Sequence, residues 1–197
     1  GSWLFSLVLV EVEQWQDALR LLVDDGESVA SDDVTVVVAA SAPNTILVPQ
    51  DYTTIQDAVD AAQNGDLVLV SPGTYNEDVY ISKTITLAST YYTTGDPALI
   101  DQTIISATDN LAQTVTFAGG AVREARIVGF TVRDGQDGVK IRGNASVINN
   151  RFVSLDTDAV DFSRDAAGMV LDNTMEGNGD DGVDIDDSSV LIQGNDI

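Results

Sequence analysis

The sequence predicts an all-β solenoid, a coil of short strands stacked on itself. Three observations predict it. First, Asp181-Gly182-Val183-Asp184-Ile185 has two earlier copies, Asp158-Ala159-Val160-Asp161-Phe162 and Asp137-Gly138-Val139-Lys140-Ile141, spaced 21 and 23 residues apart. Second, Val132, Phe152, Met175 and Ile197 form one recurring apolar set, and Val147, Val170 and Ile192 form another, every 20–23 residues. That period lies in the range of solenoid repeats. Third, Asn150, Asn173 and Asn195 recur with them. Each unit carries strand-like pieces broken by Gly, Asn or Asp. So short a unit cannot bury its own apolar face and must stack on its neighbours.

Composition narrows the function classes. The 197 residues carry 32 acids against nine Lys and Arg, a formal charge of −23. That argues against nucleic acid binding, which needs basic patches. It suits bound cations, a saline setting or plain solubility. There is no Cys and no His, so disulfides, thiolate chemistry and imidazole acid–base work are excluded from this sequence. The apolar run Trp3–Val10 is too short for a spanning helix, which needs about 20 residues, so no membrane insertion is expected.

Residues 1–41 read as a small α/β prelude, separate from a solenoid over 42–197. In the prelude, 3–10 is a strand candidate. Val12, Trp15, Leu19 and Leu22 fall at helical spacing, which predicts a helix over about 11–24. The β-branched run Val34–Val38 predicts a strand. In the second unit, Thr45–Val48 is a strand. Thr53-Thr54-Ile55-Gln56 reads as a capping box, opening a helix whose face is Ile55, Ala58, Val59 and Ala62. Leu67–Val70 is a buried strand, Ser71–Tyr75 a turn, and Val79, Ile81, Ile85 and Leu87 continue with strand alternation. Tyr91–Pro97 reads as a loop.

The stretch Thr54–Ala62, then Gly65–Val70, then Pro72-Gly73-Thr74-Tyr75-Asn76-Glu77 resembles the N-terminal capping region of right-handed parallel β-helix proteins of the pectin-lyase-like superfamily. Thr84–Ser89 and Thr103-Ile104-Ile105 are similar to that superfamily's first coils, and Gly129-Phe130-Thr131-Val132 to its coil signature. The resemblance spans about 45–197. It implies a right-handed parallel β-helix sealed by an N-terminal capping helix, and a secreted or cell-surface location. The fold hosts lyases, hydrolases and non-enzymatic surface proteins, so activity does not follow from it.

Site candidates come from strand parity. Alternate residues of a strand face opposite ways. If Val139/Ile141, Val160/Phe162 and Val183/Ile185 face the core, then Lys140/Arg142, Asp161/Ser163 and Asp184/Asp186 face solvent, one coil above another. Asp161, Asp184 and Asp186 are thus candidate ligands for calcium, a hard cation that takes carboxylate oxygens, with Asp180 and Asp187 beside them. Asp161, Asp184, Lys140 and Arg142 are the candidate acid–base set. Pectate lyases of the resembled superfamily combine an Asp cluster, calcium and a basic residue. Its polygalacturonases use paired acids, of which Gly179–Asp184 carries only a faint likeness. The column Asp137/Asp158/Asp181 stands at the strand mouths, where an Asp accepts backbone amides. Tyr91 and Tyr92 are candidate platforms for a sugar.

The expected function is a structural or glycan-binding module, secreted or on the cell surface, with a polysaccharide as the partner. Two alternatives are a polysaccharide lyase or glycoside hydrolase acting on an acidic polysaccharide, and a subunit stacking end to end. The last alternative arises because Ile197 completes a coil position with no cap behind it. An open strand edge of that kind invites either further coils or another chain.

Overall fold

The computed structural model describes residues 20–24, 29–33, 43–118 and 125–197. The chain forms two compact units, Gly1–Ser41 and Ala42–Ile197. In the first, β1 (Arg20–Asp24) pairs antiparallel with β2 (Val29–Asp33). Residues 20–24 are therefore strand, not the end of a helix. The short apolar run Leu21-Leu22-Val23 suits either state, and pairing with β2 decides it. The rest of the expected helix and the expected strands at 3–10 and 34–38 lie outside the described residues.

The second unit opens with β3 (Thr45–Val48) and α1 (Ile55–Ala61). Three-strand coils follow. The first is β4 (Leu67–Val70), β5 (Gly73–Asn76) and β6 (Val79–Ile81). The second is β7 (Thr86–Ser89), then the helical turns α2 (Tyr91–Thr94) and α3 (Ala98–Gln102), then β8 (Thr103–Ser106) and β9 (Val115–Phe117). The third is β10 (Ala125–Val128), β11 (Thr131–Arg133) and β12 (Val139–Ile141). The fourth is β13 (Asn144–Ile148), β14 (Arg151–Val153) and β15 (Val160–Phe162). The fifth is β16 (Ala167–Leu171), β17 (Thr174–Glu176) and β18 (Val183–Ile185), after which β19 (Ser189–Gln193) begins another.

Like strands of successive coils pair in parallel, giving three sheets. Sheet one runs β3-β4-β7-β10-β13-β16-β19, sheet two β5-β8-β11-β14-β17, and sheet three β6-β9-β12-β15-β18. The unit is a parallel β solenoid. Two expectations need correction. Gly73–Asn76 is a strand rather than part of a turn, because β8 pairs with it. Tyr91–Thr94 is a short helix rather than a loop, closed by Gly95 at φ 71.

The core is a stack of aliphatic and aromatic columns. Val68, Leu87, Ile127, Val147 and Val170 are register partners along sheet one and are fully buried. Ile105, Val132, Phe152 and Met175 form a buried column in sheet two, and Phe117, Ile141 and Phe162 one in sheet three. The expected alignment of Val132 with Phe152 and Met175, and of Val147 with Val170 and Ile192, is what pairs. The last inward position differs: Ile185 continues the Ile141–Phe162 column but is 42% exposed.

The Asn column sits at the corner between sheets one and two. Asn150 Oδ1 accepts the Phe130 amide at 3.0 Å, Asn173 Oδ1 the Asn150 amide at 2.8 Å, and Asn195 Oδ1 the Asn173 amide at 2.9 Å. The side-chain amides donate in turn, Asn150 to the Ile127 carbonyl and Asn173 to that of Val147. Backbone groups that would otherwise be buried without partners are thereby satisfied coil by coil.

At the other end, α1 covers the first coil with Ile55, Ala58 and Val59. Thr54 caps it, accepting the Asp57 amide at 3.1 Å. Gln56 does not close the expected box. Its Oε1 accepts the Tyr80 amide, and the Glu77 carboxylate takes the Ile55 and Gln56 amides, each at 2.9 Å. A carboxylate at a helix N-terminus is favourable, and here it ties the helix to the coil beneath.

Candidate functional site

The outer face of sheet three carries the charged column. Lys140 of β12 lies in register with Asp161 of β15, and Asp161 with Asp184 of β18. Parity thus puts these three side chains in one line, as the sequence requires. Their exposure is not uniform. Asp161 is only 7% exposed, Lys140 and Asp184 are half-buried, and Asp186 is exposed. Asp161 does not face open solvent as parity implied. The Lys140 ammonium lies against its Oδ2, and the neighbouring coils shield the pair.

The column at the strand mouths, which parity alone sends inward, instead turns the carboxylates of Asp137 and Asp158 toward this outer cluster. Asp137 and Asp158 are buried, while Asp181 is exposed. Asp158 Oδ1 accepts the Asp181 amide at 2.9 Å, the turn role expected of it. Asp137 accepts the Thr157 hydroxyl, and its Oδ2 lies 3.9 Å from Lys140 Nζ. Carboxylate oxygens of Asp137, Asp158 and Asp161 all lie within 4.8 Å of one another. Burial raises the Asp158 carboxyl above its ordinary value. The Asp181 amide pulls it down, and the nearby charges of Asp137, Asp184 and Asp161 push it up again.

The structure therefore brings together Asp137, Asp158, Asp161 and Lys140, with Asp184 at the edge. It draws Asp186 and Asp187 elsewhere, to the Arg164 guanidinium at 3.8 and 3.9 Å. Arg142 is exposed and lacks an ion-pair partner among the described residues. Three carboxylates at this spacing can reach one hard cation. Lys140 already lies among them, so a divalent ion has to displace or share with an ammonium. The set also places Asp158, whose proton affinity burial raises, beside further carboxylates and a cation, the kinds of group that proton transfer uses.

Tyr91 and Tyr92 sit at a second place, beside the outer face of sheet one. They are not equivalent. Tyr91 is half-buried and packs over Gly129, whose φ is +79; a Cβ there would come within 2.7 Å of the Tyr91 ring. Tyr92 is 47% exposed. Both line a shallow depression of about 270 Å³ whose far wall is Arg126 of β10. Sequence reasoning passed over Arg126. The available signal was a cation in an otherwise apolar strand whose register partners, Thr86 and Ser146, carry no acid.

No helix among the described residues is long and apolar enough to cross a membrane. No family profile matches the chain. The chain is similar to a cell surface glycoprotein of Methanothermus fervidus, 28% identical over 111 residues, a match that covers 52% of this chain and 16% of that protein.

Proposed function

We propose that the chain is a right-handed parallel β-helix module of the pectin-lyase-like kind, displayed on the cell surface, with a structural or glycan-binding role. The observation that carries this reading is the regular solenoid, taken with the chain's likeness to a cell surface glycoprotein. Coils joined by parallel ladders and an Asn column make a stiff rod, in which each added coil extends the length and presents three outer faces. The net charge of −23 keeps such rods apart and soluble. An antibody to this chain should label intact cells of the source organism. Labelling that appears only after permeabilisation would sink the reading.

A second reading is an enzyme that cleaves an acidic polysaccharide at sheet three, by lysis or hydrolysis, with or without calcium. The raised Asp158 carboxyl beside Lys140 and Asp161 supports it. Incubation with polyuronates discriminates the two: a lyase leaves an unsaturated product absorbing in the ultraviolet, a hydrolase new reducing ends. Calcium affinity that is the same in wild type and in the Asp161→Asn/Asp184→Asn double variant would remove the metal from this face.

A further inference from the structure

We infer that Asn144 is an N-glycosylation acceptor, with the glycan carried on the outer side of sheet one. The inference rests on the cell-surface reading above, because this modification belongs to exported chains.

The sequence supplies one acceptor motif. Asn-x-Ser/Thr, with x other than Pro, occurs once, at Asn144-Ala145-Ser146. So short a motif depends on its placement. Asn144 opens β13. Ala145 and Val147 are fully buried, so alternation sends Asn144 and Ser146 to the outward side together. Asn144 is exposed, and its side chain has no hydrogen bond to another described residue. Its register partner one coil on is Ala167, whose methyl leaves room beside it. Asn144 and Ser146 also line an open depression of about 430 Å³. A bulky group attached to the Asn144 amide therefore extends into solvent rather than into protein.

The other asparagines lack this combination. Asn150, Asn173 and Asn195 spend their side-chain amides on the Ile127, Val147 and Val170 carbonyls, and Asn110 donates to the Asp156 carboxylate. Asn76 is exposed as well, but Asp78 stands where the hydroxyl is needed. The transfer draws on an oligosaccharide carried on a lipid phosphate. Asn144 Nδ2 bonds to the anomeric carbon as the bond from that carbon to the phosphate oxygen breaks. The lipid phosphate leaves with that electron pair, and one Nδ2 proton passes to a base. The backbone of β13 pairs with β10 on one side and β16 on the other. A link at Nδ2 leaves both ladders intact, so the glycan and the folded coil are compatible.

The test is mass spectrometry of the protein isolated from its source organism. Trypsin, cutting after Arg142 and Arg151, releases residues 143–151, which hold Asn144 together with Asn149 and Asn150. The expected peptide is heavier than its sequence by whole sugar residues, and fragmentation places them on Asn144. Expressed in the same organism, Asn144→Gln and Ser146→Ala should lose the added mass, while Ser146→Thr should keep it. Asn144→Gln still folds, since it changes an exposed side chain that makes no internal hydrogen bond. Four results overturn the inference: a peptide at its sequence mass, sugar on Asn149 or Asn150, sugar retained in Ser146→Ala, or sugar lost in Ser146→Thr. Antibody labelling of intact cells is read separately. Labelled cells with an unmodified peptide sink this inference alone, whereas unlabelled cells with an unmodified peptide sink the surface reading with it.

Discussion

Sheets one and three of the same solenoid each carry a basic residue in their third-coil strand, Arg126 in β10 and Lys140 in β12. One coil on, Arg126 meets Ser146 and Lys140 meets Asp161. That difference in one register partner separates the two faces. On sheet three the cation is consumed internally, held between Asp161 and Asp137. On sheet one the cation has no acid partner among the described residues. In a parallel solenoid, the chemistry of a face is set by what the next coil places one register position away.

The largest effect should come from Lys140→Met. It leaves buried Asp161 without its counter-charge, and removing one partner of a shielded ion pair costs about 3 kcal/mol. A urea denaturation midpoint should fall accordingly. An unchanged midpoint would erase the contrast between the faces.

Next in size is a pH effect at Asp158. Its raised value means the folded state binds that proton more tightly than the unfolded chain does. The resulting stability is full below the unfolded value of 3.8 and is lost as pH rises through the raised folded one. Asp158→Asn keeps an oxygen for the Asp181 amide and removes the titration. The variant should therefore gain on wild type as pH rises from the low end of that window. Denaturation midpoints of both proteins at matched pH check this. A gap that narrows with rising pH would show that Lys140 outweighs burial at Asp158.

The smallest effect should be that of Arg126→Met on stability, within about 0.5 kcal/mol, as for surface changes that break no specific feature. A loss matching that of Lys140→Met would reveal an internal role for Arg126 and dissolve the comparison from its other side.

Much of the coil was legible because most inward strand positions are apolar; Ser89, in register with buried Val70, is an exception. In Val139-Lys140-Ile141 and Val160-Asp161-Phe162 the alternation fixes the faces, and the 21-residue spacing fixes the register. The Asn column was equally plain, since an amide can both donate and accept from coil to coil. What parity leaves open is cover. It sends Asp161 outward but does not say that Lys140 and its neighbours close over it. The depressions beside Arg126 are lined from successive coils, one of them also by Tyr91 and Tyr92 of α2, and neither is a local pattern. In the first unit, Leu22 fell at a helical period, and pairing of 20–24 with the strand at 29–33 overrode it. Gln56 had the right spacing for a capping box. Tyr80 and Glu77, on the next coil, competed for the same groups and won.

The helix that seals the first coil has a consequence for the order of assembly. Its fastenings come from just one turn of the solenoid further on: Glu77 reaches Ile55 across 22 residues, and Lys83 reaches Val59 across 24. The Asn steps are as local, 23 residues from Asn150 to Asn173 and 22 from there to Asn195. Closing loops of that length is cheap, and the cost does not grow along the rod. A chain that emerges N-terminus first thus finds the partners for its lid within the next two dozen residues, and each later coil needs only the one before it as a template. Growth of the folded rod keeps pace with delivery of the chain, with little apolar surface left waiting for a distant stretch of sequence.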